Sequence, residues 1–138
     1  TWKSWAFSPY LTSQPCKYVE LAYNGMFAKT YLSTEYQNNS YLSQQHKVSL
    51  KLMPFDGFTF DTSADIVKNE LTKDVSKTMS LLDMGLSYRK KAMKISLDIR
   101  NILNQRQYAY TIYNSVNTFT YNYLLRGREC VCSVKLTM

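Results

Sequence analysis

The sequence has few of the residues on which small metal-binding, catalytic and disulfide-stabilised domains depend. Its 138 residues include 4 Gly, 3 Cys and 1 His. Four scattered glycines build no glycine-rich phosphate loop, and three cysteines, with Cys16 far from the other two, argue against a disulfide framework. His46 has no second histidine and no carboxylate at ligand spacing. We therefore interpret it as a solvated residue at the edge of a strand, and not as a zinc ligand or a catalytic base.

Long hydrophobic runs are also absent. No stretch approaches the roughly 18 consecutive apolar residues that a transmembrane helix needs. The chain begins Thr-Trp-Lys-Ser, without an initiator Met and without the charged-then-apolar pattern of a signal peptide, so we interpret it as mature, processed or a fragment. Hydrophobic residues still make up 45% of the chain and aromatic residues 14%. That composition excludes disorder for most of the chain and predicts one domain or less.

The excess of positive charge has no nucleic-acid motif beside it. Lys and Arg number 17 against 10 Asp and Glu, which gives a formal net charge of +7. The densest cluster is Arg89-Lys90-Lys91, and the other cations are scattered. No zinc-finger spacing and no glycine-flanked aromatic RNA-binding motif accompanies them. We expect no nucleic-acid partner.

Alternation of apolar and polar residues is the strongest pattern in the chain. In residues 93–100 every second residue is large and apolar and those between are polar or charged, which is the period of a strand with one apolar face. Residues 82–89 repeat the pattern, and Lys90-Lys91-Ala92 predicts a hairpin turn between the two. The other alternating stretches are the residues up to about Leu11, then 19–27, 47–52, 58–66 and 130–138. The predicted fold is all-β, an antiparallel up-and-down meander of about seven strands.

The predicted connections fall into two classes. Tight turns are expected near 13–16, at Pro54-Phe55-Asp56-Gly57 and at Lys91, and Asp-Gly is a favoured hairpin pair. Long polar connections are expected at about 30–44, 70–78 and 104–122. Short turns at one end of a sheet and longer loops at the other are typical of transmembrane β-barrels. We therefore expect residues 1–138 to be a single segment of the wall of such a barrel.

The C-terminal third resembles a known family. The stretch Asp98-Ile99-Arg100-Asn101-Ile102-Leu103-Asn104, followed by Tyr108, is similar to the strand, Asn-Leu-Phe-Asn and Tyr signature near the C-terminus of TonB-dependent outer-membrane receptors. The next tyrosine-rich stretch, then Tyr123-Leu124-Leu125-Arg126-Gly127-Arg128-Glu129 and an alternating terminal strand, resembles the barrel ends of Bacteroidota members of that family.

This resemblance implies a structure, a location and a set of partners. The chain would be the C-terminal portion of a barrel of about 22 strands, without the plug domain of such receptors. It would be a non-enzymatic segment, with no catalytic residue, metal or cofactor, in the outer membrane of a Gram-negative bacterium, and would serve nutrient uptake. The implied partners are outer-membrane lipid and lipopolysaccharide, the remaining barrel strands and plug of the same receptor, and, optionally, a surface lipoprotein.

Two groups of residues are candidate contact sites. Tyrosines in the longest predicted connection can stack on and hydrogen-bond to a sugar or peptide; they are Tyr108, Tyr110, Tyr113, Tyr121 and Tyr123. Their alternative use is an interfacial aromatic girdle with loop packing. Arg126 and Arg128 are expected at the height of the lipopolysaccharide phosphates, which guanidinium groups bind bidentately. The alternative for these arginines is cross-strand pairing with a carboxylate.

Two other architectures are compatible with the same pattern. A soluble lipocalin-like or fatty-acid-binding-like barrel would line an apolar ligand cavity with the apolar faces and turn the polar faces to water. A small self-contained outer-membrane barrel would need one more strand to reach the usual minimum of about eight. In a transmembrane barrel, by contrast, the strand carboxylates face the lumen, and the alternating Cys130 and Cys132 face lipid.

Overall fold

The structure is a computed structural model that describes residues 1–33, 38–72, 75–113 and 118–137. It is all-β over these residues. The strands are β1 (Trp2–Phe7), β2 (Tyr10–Cys16), β3 (Val19–Ser33), β4 (Asn38–Leu52), β5 (Phe58–Thr72), β6 (Val75–Lys90), β7 (Met93–Arg100), β8 (Gln107–Tyr113), β9 (Thr118–Leu124) and β10 (Glu129–Leu136).

The strands form one large antiparallel sheet and one hairpin. The large sheet has the order β1-β3-β4-β5-β6-β7-β10, and β2 also pairs with β3. Because β1 and β2 pair with successive parts of β3, they act as one edge strand that is interrupted at Ser8 and Pro9. The Gly25 N–H donates to the Pro9 carbonyl at 2.9 Å across this interruption. The large sheet is therefore the predicted antiparallel meander of about seven strands.

The tight turns lie at one end of the sheet, which we call the turn end. In the turn at Asp56-Gly57, Gly57 has φ of 82° and its carbonyl accepts the Arg89 N–H at 2.7 Å. A Cβ on Gly57 would overlap the Arg89 carbonyl oxygen, so only glycine fits this turn. Lys91 and Ala92 form the predicted turn between β6 and β7.

The first turn was predicted too early in the chain. It lies at Lys17 and Tyr18, because β2 continues to Cys16 through an irregularity in its pairing between Ser13 and Cys16. Pro15 lies inside this irregular stretch of an edge strand, where a proline removes no ladder hydrogen bond that the sheet needs.

The long polar connections were also predicted wrongly, because most of their residues belong to strands. β3 reaches Ser33 and β4 begins at Asn38, while β5 reaches Thr72 and β6 begins at Val75. Residues 107–113 and 118–124 pair as the β8–β9 hairpin. Ladder hydrogen bonds join backbone groups, so polar side chains on both faces do not prevent a strand from continuing. Residues 34–37, 73–74 and 114–117 lie outside the described residues.

Strand register divides the large sheet into two faces. One face, which we call the apolar face, carries near the turn end the directly paired residues Val19, Leu52, Phe60, Leu86, Leu97 and Cys132 and their neighbours. The opposite face, which we call the charged face, carries there Glu20, Lys51, Asp61, Gly85, Asp98 and Val131. The predicted alternation is thus present in space across six neighbouring strands.

On β4, β5 and β6 the polarity of the two faces reverses towards the opposite end of the sheet. There the apolar face carries Gln44, Lys68 and Thr78 on one ladder rung, and the charged face carries the paired Val67 and Met79. The small core of the described residues lies in this region: Val67 is 8%, Met79 9% and Ala109 of β8 6% exposed. β8 contacts β5, so the hairpin covers this part of the charged face.

Candidate functional site

The β8–β9 hairpin carries a stack of tyrosine rings. Tyr108 and Tyr123 are directly paired across the hairpin, and their ring centroids lie 6.4 Å apart with planes at 25°. Tyr121 stacks on Tyr123 at 6.4 Å with planes at 9°. Tyr121 and Tyr123 remain 38% and 47% exposed. The three rings, Tyr108, Tyr123 and Tyr121, form one continuous surface, which we call the tyrosine stack.

The base of the hairpin is held by Asn101, in the motif that resembles the TonB-dependent signature. Asn101 is 7% exposed and adopts φ of 50°. Its Nδ2 donates to the carbonyls of Gln105 and Arg126, each at 2.8 Å, and its Oδ1 accepts the Gln105 N–H at 2.8 Å. Its own N–H donates to Asp83 Oδ1 at 2.7 Å. One side chain thus joins the chain entering the hairpin to the chain leaving it.

Tyr108 lies against the charged face of the sheet. Burial raises the pKa of the Tyr108 phenol, and the nearby Asp65 carboxylate and Tyr123 phenol raise it further. Asp65 also accepts hydrogen bonds from Gln45 Nε2, at 3.2 Å to each carboxylate oxygen. Asp65 therefore links the inner end of the tyrosine stack to β4 and β5.

The structure brings together three of the five predicted tyrosines. Tyr108, Tyr121 and Tyr123 form the tyrosine stack, and the backbone of Tyr110 pairs with that of Tyr121. The backbone of Tyr113 pairs with that of Thr118 at the far end of the hairpin, five ladder steps beyond the Tyr108–Tyr123 pair. An aromatic stack beside a carboxylate and a primary amide can hold a flat or ring-shaped ligand by stacking and hydrogen bonding.

The two predicted arginines make contacts within the chain. Arg128 donates from Nε to the Ile102 carbonyl at 2.9 Å and from Nη2 to the same oxygen at 2.5 Å. Arg126 forms an ion pair with Glu129 at 3.6 Å, and its side chain is 89% exposed. Arg128 is therefore engaged at the hairpin base, and Arg126 has a carboxylate partner three residues along the chain rather than on a neighbouring strand.

The apolar face is a second candidate surface because its large side chains are not covered. Near the turn end Val134 is 62%, Leu136 68% and Leu11 64% exposed. Aromatic residues flank this aliphatic zone. Those towards the turn end are Tyr88 and Phe58, and those on the other side are Phe7, Trp5, Phe27 and Tyr31. An aliphatic zone between two aromatic belts is typical of a surface that meets a bilayer.

His46 lies in the belt farther from the turns, inside β4 and not at a strand edge as predicted. It is half-buried, its Nδ1 lies 2.8 Å from Tyr23 Oη, and the Phe27 ring contacts it edge-on at 5.1 Å between centroids. The sequence pattern missed this placement because β4 begins earlier than the alternation indicates. Tyr23 and Phe27 on β3 are therefore the structural partners of His46.

Metal and thiol chemistry have no organised site in the described part of the chain. No group of three or more His, Cys, Asp or Glu residues there is arranged to hold a metal ion. Cys16, Cys130 and Cys132 are free and exposed. The Asp61 carboxylate lies against Gly85, and a Cβ on Gly85 would be 2.5 Å from Asp61 Oδ2.

No protein-family model matches the sequence, and it matches neither a curated protein nor a solved structure. Among residues 1–33, 38–72, 75–113 and 118–137 there is no helix long and apolar enough to cross a membrane.

Sequence reasoning missed three features of these surfaces. They are the Asn101 network, the position of Tyr108 near Asp65, and the belt formed by Trp5, Phe7 and Phe27. The first includes a bond from Asn101 to the Arg126 carbonyl 25 positions away, and the second joins residues on separate sheets, and no local pattern encodes such pairs. The belt could be predicted in part, because Trp5 and Phe7 are two residues apart and therefore lie on the same face of a strand.

Proposed function

We propose that the chain is a wall segment of an outer-membrane transport barrel, as the resemblance to the C-terminal strands of TonB-dependent receptors implies. The observation that carries this proposal is the zoned apolar face, with exposed aliphatic side chains between two aromatic belts. From Val19 to Lys29, the first cation on that face of β3, the strand advances about 33 Å at about 3.3 Å per residue. A tilt of about 40° reduces this to roughly 25 Å of height, the thickness of the apolar band in such barrels.

The charged face supports the same proposal. In a transmembrane barrel the face opposite lipid lines an aqueous interior. Here that face carries cross-strand charges, with Lys51 and Glu20 paired at 3.5 Å, and it is the side against which the hairpin lies. A soluble lipid-binding barrel requires the reverse, with the apolar face enclosed and the charged face exposed to water.

The two edges of the sheet fit a segment that needs further strands. In the described part of the chain β1 and β2 at one edge, and β10 at the other, have one partner strand each. Unpaired backbone groups in hydrocarbon cost several kcal/mol each, so a membrane-embedded sheet must continue at both edges. In the proposed protein the other strands of the same barrel pair there, and its interior admits a nutrient past the tyrosine stack.

The experiment that tests the proposal measures which face meets lipid. Nitroxide labels are placed at Ser96 or Leu97 in the full-length protein in phospholipid bilayers, after Cys16, Cys130 and Cys132 are replaced by serine. Ser96 bonds Ser133 at 2.7 Å on the charged face, and Leu97 is its neighbour on the apolar face. We expect the label at Leu97 to be more accessible to oxygen than to a nickel chelate. We expect the label at Ser96 to be more accessible to the nickel chelate than to oxygen. The opposite pattern would favour the soluble barrel.

A further inference from the structure

The far half of the apolar face carries positive charge directly beyond its aromatic belt. Lys3 pairs with Tyr31, Lys29 pairs with Trp5, and Lys68 lies two strands from Phe27 on one ladder rung. Lys3 and Lys29 are diagonal neighbours on adjacent strands, which places their Cα atoms about 7–8 Å apart. We call Lys3, Lys29 and Lys68 the lysine strip.

Negative charge is scarce on the same face. Over the described strands, register assigns one carboxylate to the apolar face, Glu70, and its Oε2 accepts the Leu42 N–H at 2.6 Å. The other strand carboxylates belong to the charged face; they are Glu20, Asp61, Asp65, Asp83, Asp98 and Glu129. Among the described residues no ion pair involves a lysine of the strip.

The local surroundings hold one of these ammonium groups, that of Lys29, beside an aromatic ring. Lys29 Nζ lies 5.0 Å from the centroid of the Tyr31 ring, a cation–π contact that keeps it near the aromatic belt. Lys3 and Lys68 are exposed. Cations adjacent to an aromatic belt match the phosphates of lipid headgroups, since aromatic rings lie at the headgroup level of a bilayer.

From this arrangement we propose that the lysine strip binds the phosphate groups of anionic lipid in the outer leaflet, the phosphorylated lipid A part of lipopolysaccharide. The proposal rests on the proposed function, because it requires that the apolar face meets a bilayer. It moves the lipopolysaccharide contact from Arg126 and Arg128, which bind Glu129 and the Ile102 carbonyl, to the three lysines of the strip on the apolar face. Electrostatic complementarity selects this occupant, because the apolar face carries these three cations and, among the described strand residues, a single carboxylate that is already bonded.

The test compares two matched triple variants of the full-length protein in phosphatidylcholine bilayers. One neutralises the strip, K3Q/K29Q/K68Q, and the other neutralises Lys47, Lys94 and Lys135 on the charged face. Lipid A is the titrated probe, and binding is followed by its mass adducts and by the shift of the unfolding midpoint. Each lysine near a phosphate surface strengthens binding about five-fold, so we expect the strip variant to bind on the order of one hundred-fold more weakly. We expect the charged-face variant to bind like the wild type.

Further arms distinguish the source of the phosphate and the failure of either proposal. We expect the wild type to bind dephosphorylated lipid A weakly, with the affinity that the strip variant has for lipid A. The K3R/K29R/K68R variant should retain lipid A binding, because it keeps the three charges. Inorganic phosphate should not compete with lipid A. Equal lipid A affinity of both triple variants, or competition by inorganic phosphate, would overturn the proposed lipid site. If the protein still inserts normally, that result would not contradict the proposed barrel. A wild-type protein that does not insert, judged by protease accessibility of its strands, would overturn both.

Discussion

Asn101 is the residue on which the position of the tyrosine stack depends. Its side chain makes three hydrogen bonds to backbone groups of Gln105 and Arg126, and its φ of 50° suits asparagine better than most residues. Asn101→Ala leaves these buried groups without partners and adds backbone strain, so we expect a loss of about 2–4 kcal/mol in the free energy of unfolding. Denaturant unfolding of the full-length protein measures this loss.

Two further substitutions at this position separate backbone strain from hydrogen bonding. Asn101→Gly keeps the positive φ but removes the side-chain bonds, and Asn101→Asp keeps an acceptor for the Gln105 N–H but loses both donated bonds. We expect glycine to restore part of the stability lost in the alanine variant and aspartate to restore less, because its charge would face two carbonyl oxygens. A wild-type stability for all three variants would mean that the hairpin base does not depend on Asn101.

Tyr108 provides a titration probe for the contact between the hairpin and the sheet. Burial, then Asp65, then Tyr123 raise its pKa above 10.0. The unfolded chain therefore releases this proton at lower pH than the folded protein does, and stability is lost as the pH rises from about 10 through the folded pKa. We expect Asp65→Asn to lower the pKa of Tyr108, because a negative charge is removed. NMR titration of labelled tyrosine Cζ measures the change, and the Tyr108→Phe spectrum assigns the signal.

A pKa of Tyr108 that does not change in Asp65→Asn would show that the hairpin does not lie over β5 in solution. Asp98→Asn is the matched control. It removes a carboxylate from the same face, but on β7, opposite Gly85 and Val131. We expect this substitution to leave the pKa of Tyr108 unchanged.

At the scale of elements, the sequence predicted the strands well where only one face is polar. The stretches around Leu50, Phe60, Leu86 and Leu97 alternate cleanly because one face there is aliphatic and the other charged. Beyond them the alternation disappears, since Ser43 and Gln44 of β4 lie on opposite faces and are both polar. Strand pairing continues there through backbone hydrogen bonds, which leave no pattern in the side chains.

The hairpin was harder to predict for a related reason. Residues 104–122 were predicted to be a polar connection, and the pairing within 107–124 depends on the turn that Asn101 and Asn104 begin, both at positive φ. The Asn104 N–H donates to the Asn101 carbonyl at 2.8 Å, and the Asn104 Oδ1 accepts the Arg128 N–H at 3.2 Å. These contacts give the signature-like asparagines a structural role that spacing alone does not reveal.

The edge strand β1 offers a test of face assignment within one element. Trp5 and Trp2 are each 50% exposed, but Trp5 pairs with Lys29 on the apolar face and Trp2 pairs with Leu32 on the other. We expect brominated phospholipid to quench the fluorescence of Trp5 and not that of Trp2. Trp5→Phe should therefore remove a quenched component from the full-length protein, and Trp2→Phe should not. Loss of the quenched component in Trp2→Phe would reverse the faces of β1.

At the scale of the whole molecule, the two faces demand different surroundings. The charged face is partly covered by the molecule's own hairpin, whereas the apolar face exposes Leu136 and Val134 at 68% and 62%. Exposed apolar patches of this extent mark a surface that meets another apolar phase. Alternation in the sequence predicts that such a face exists, but only the register across seven strands reveals its two aromatic belts and the lysine strip beside one of them.

Arginine substitutions along the apolar face can show whether that face meets a lipid bilayer. Leu97 lies in the aliphatic zone between Leu86 and Cys132, and Tyr31 lies in the belt far from the turns. In a bilayer we expect Leu97→Arg to cost about 2–4 kcal/mol of unfolding free energy, and Tyr31→Arg about 0–1, because the cost falls from midplane to interface. Ser96→Arg, on the charged face, is the control and should be mild. Guanidinium unfolding of the full-length protein in vesicles gives these values.

The lipid dependence of the same series separates a bilayer from a protein interior. A longer acyl chain moves the interface away from the midplane, so Tyr31→Arg should become more costly in thicker bilayers while Leu97→Arg changes little. A soluble lipid-binding barrel would also lose stability with arginine at Leu97, since that side chain would enter its cavity. Its loss at Tyr31, however, would not depend on the acyl chain of added lipid. A Tyr31→Arg cost that stays constant across bilayers of different thickness would therefore assign the apolar face to a protein interior.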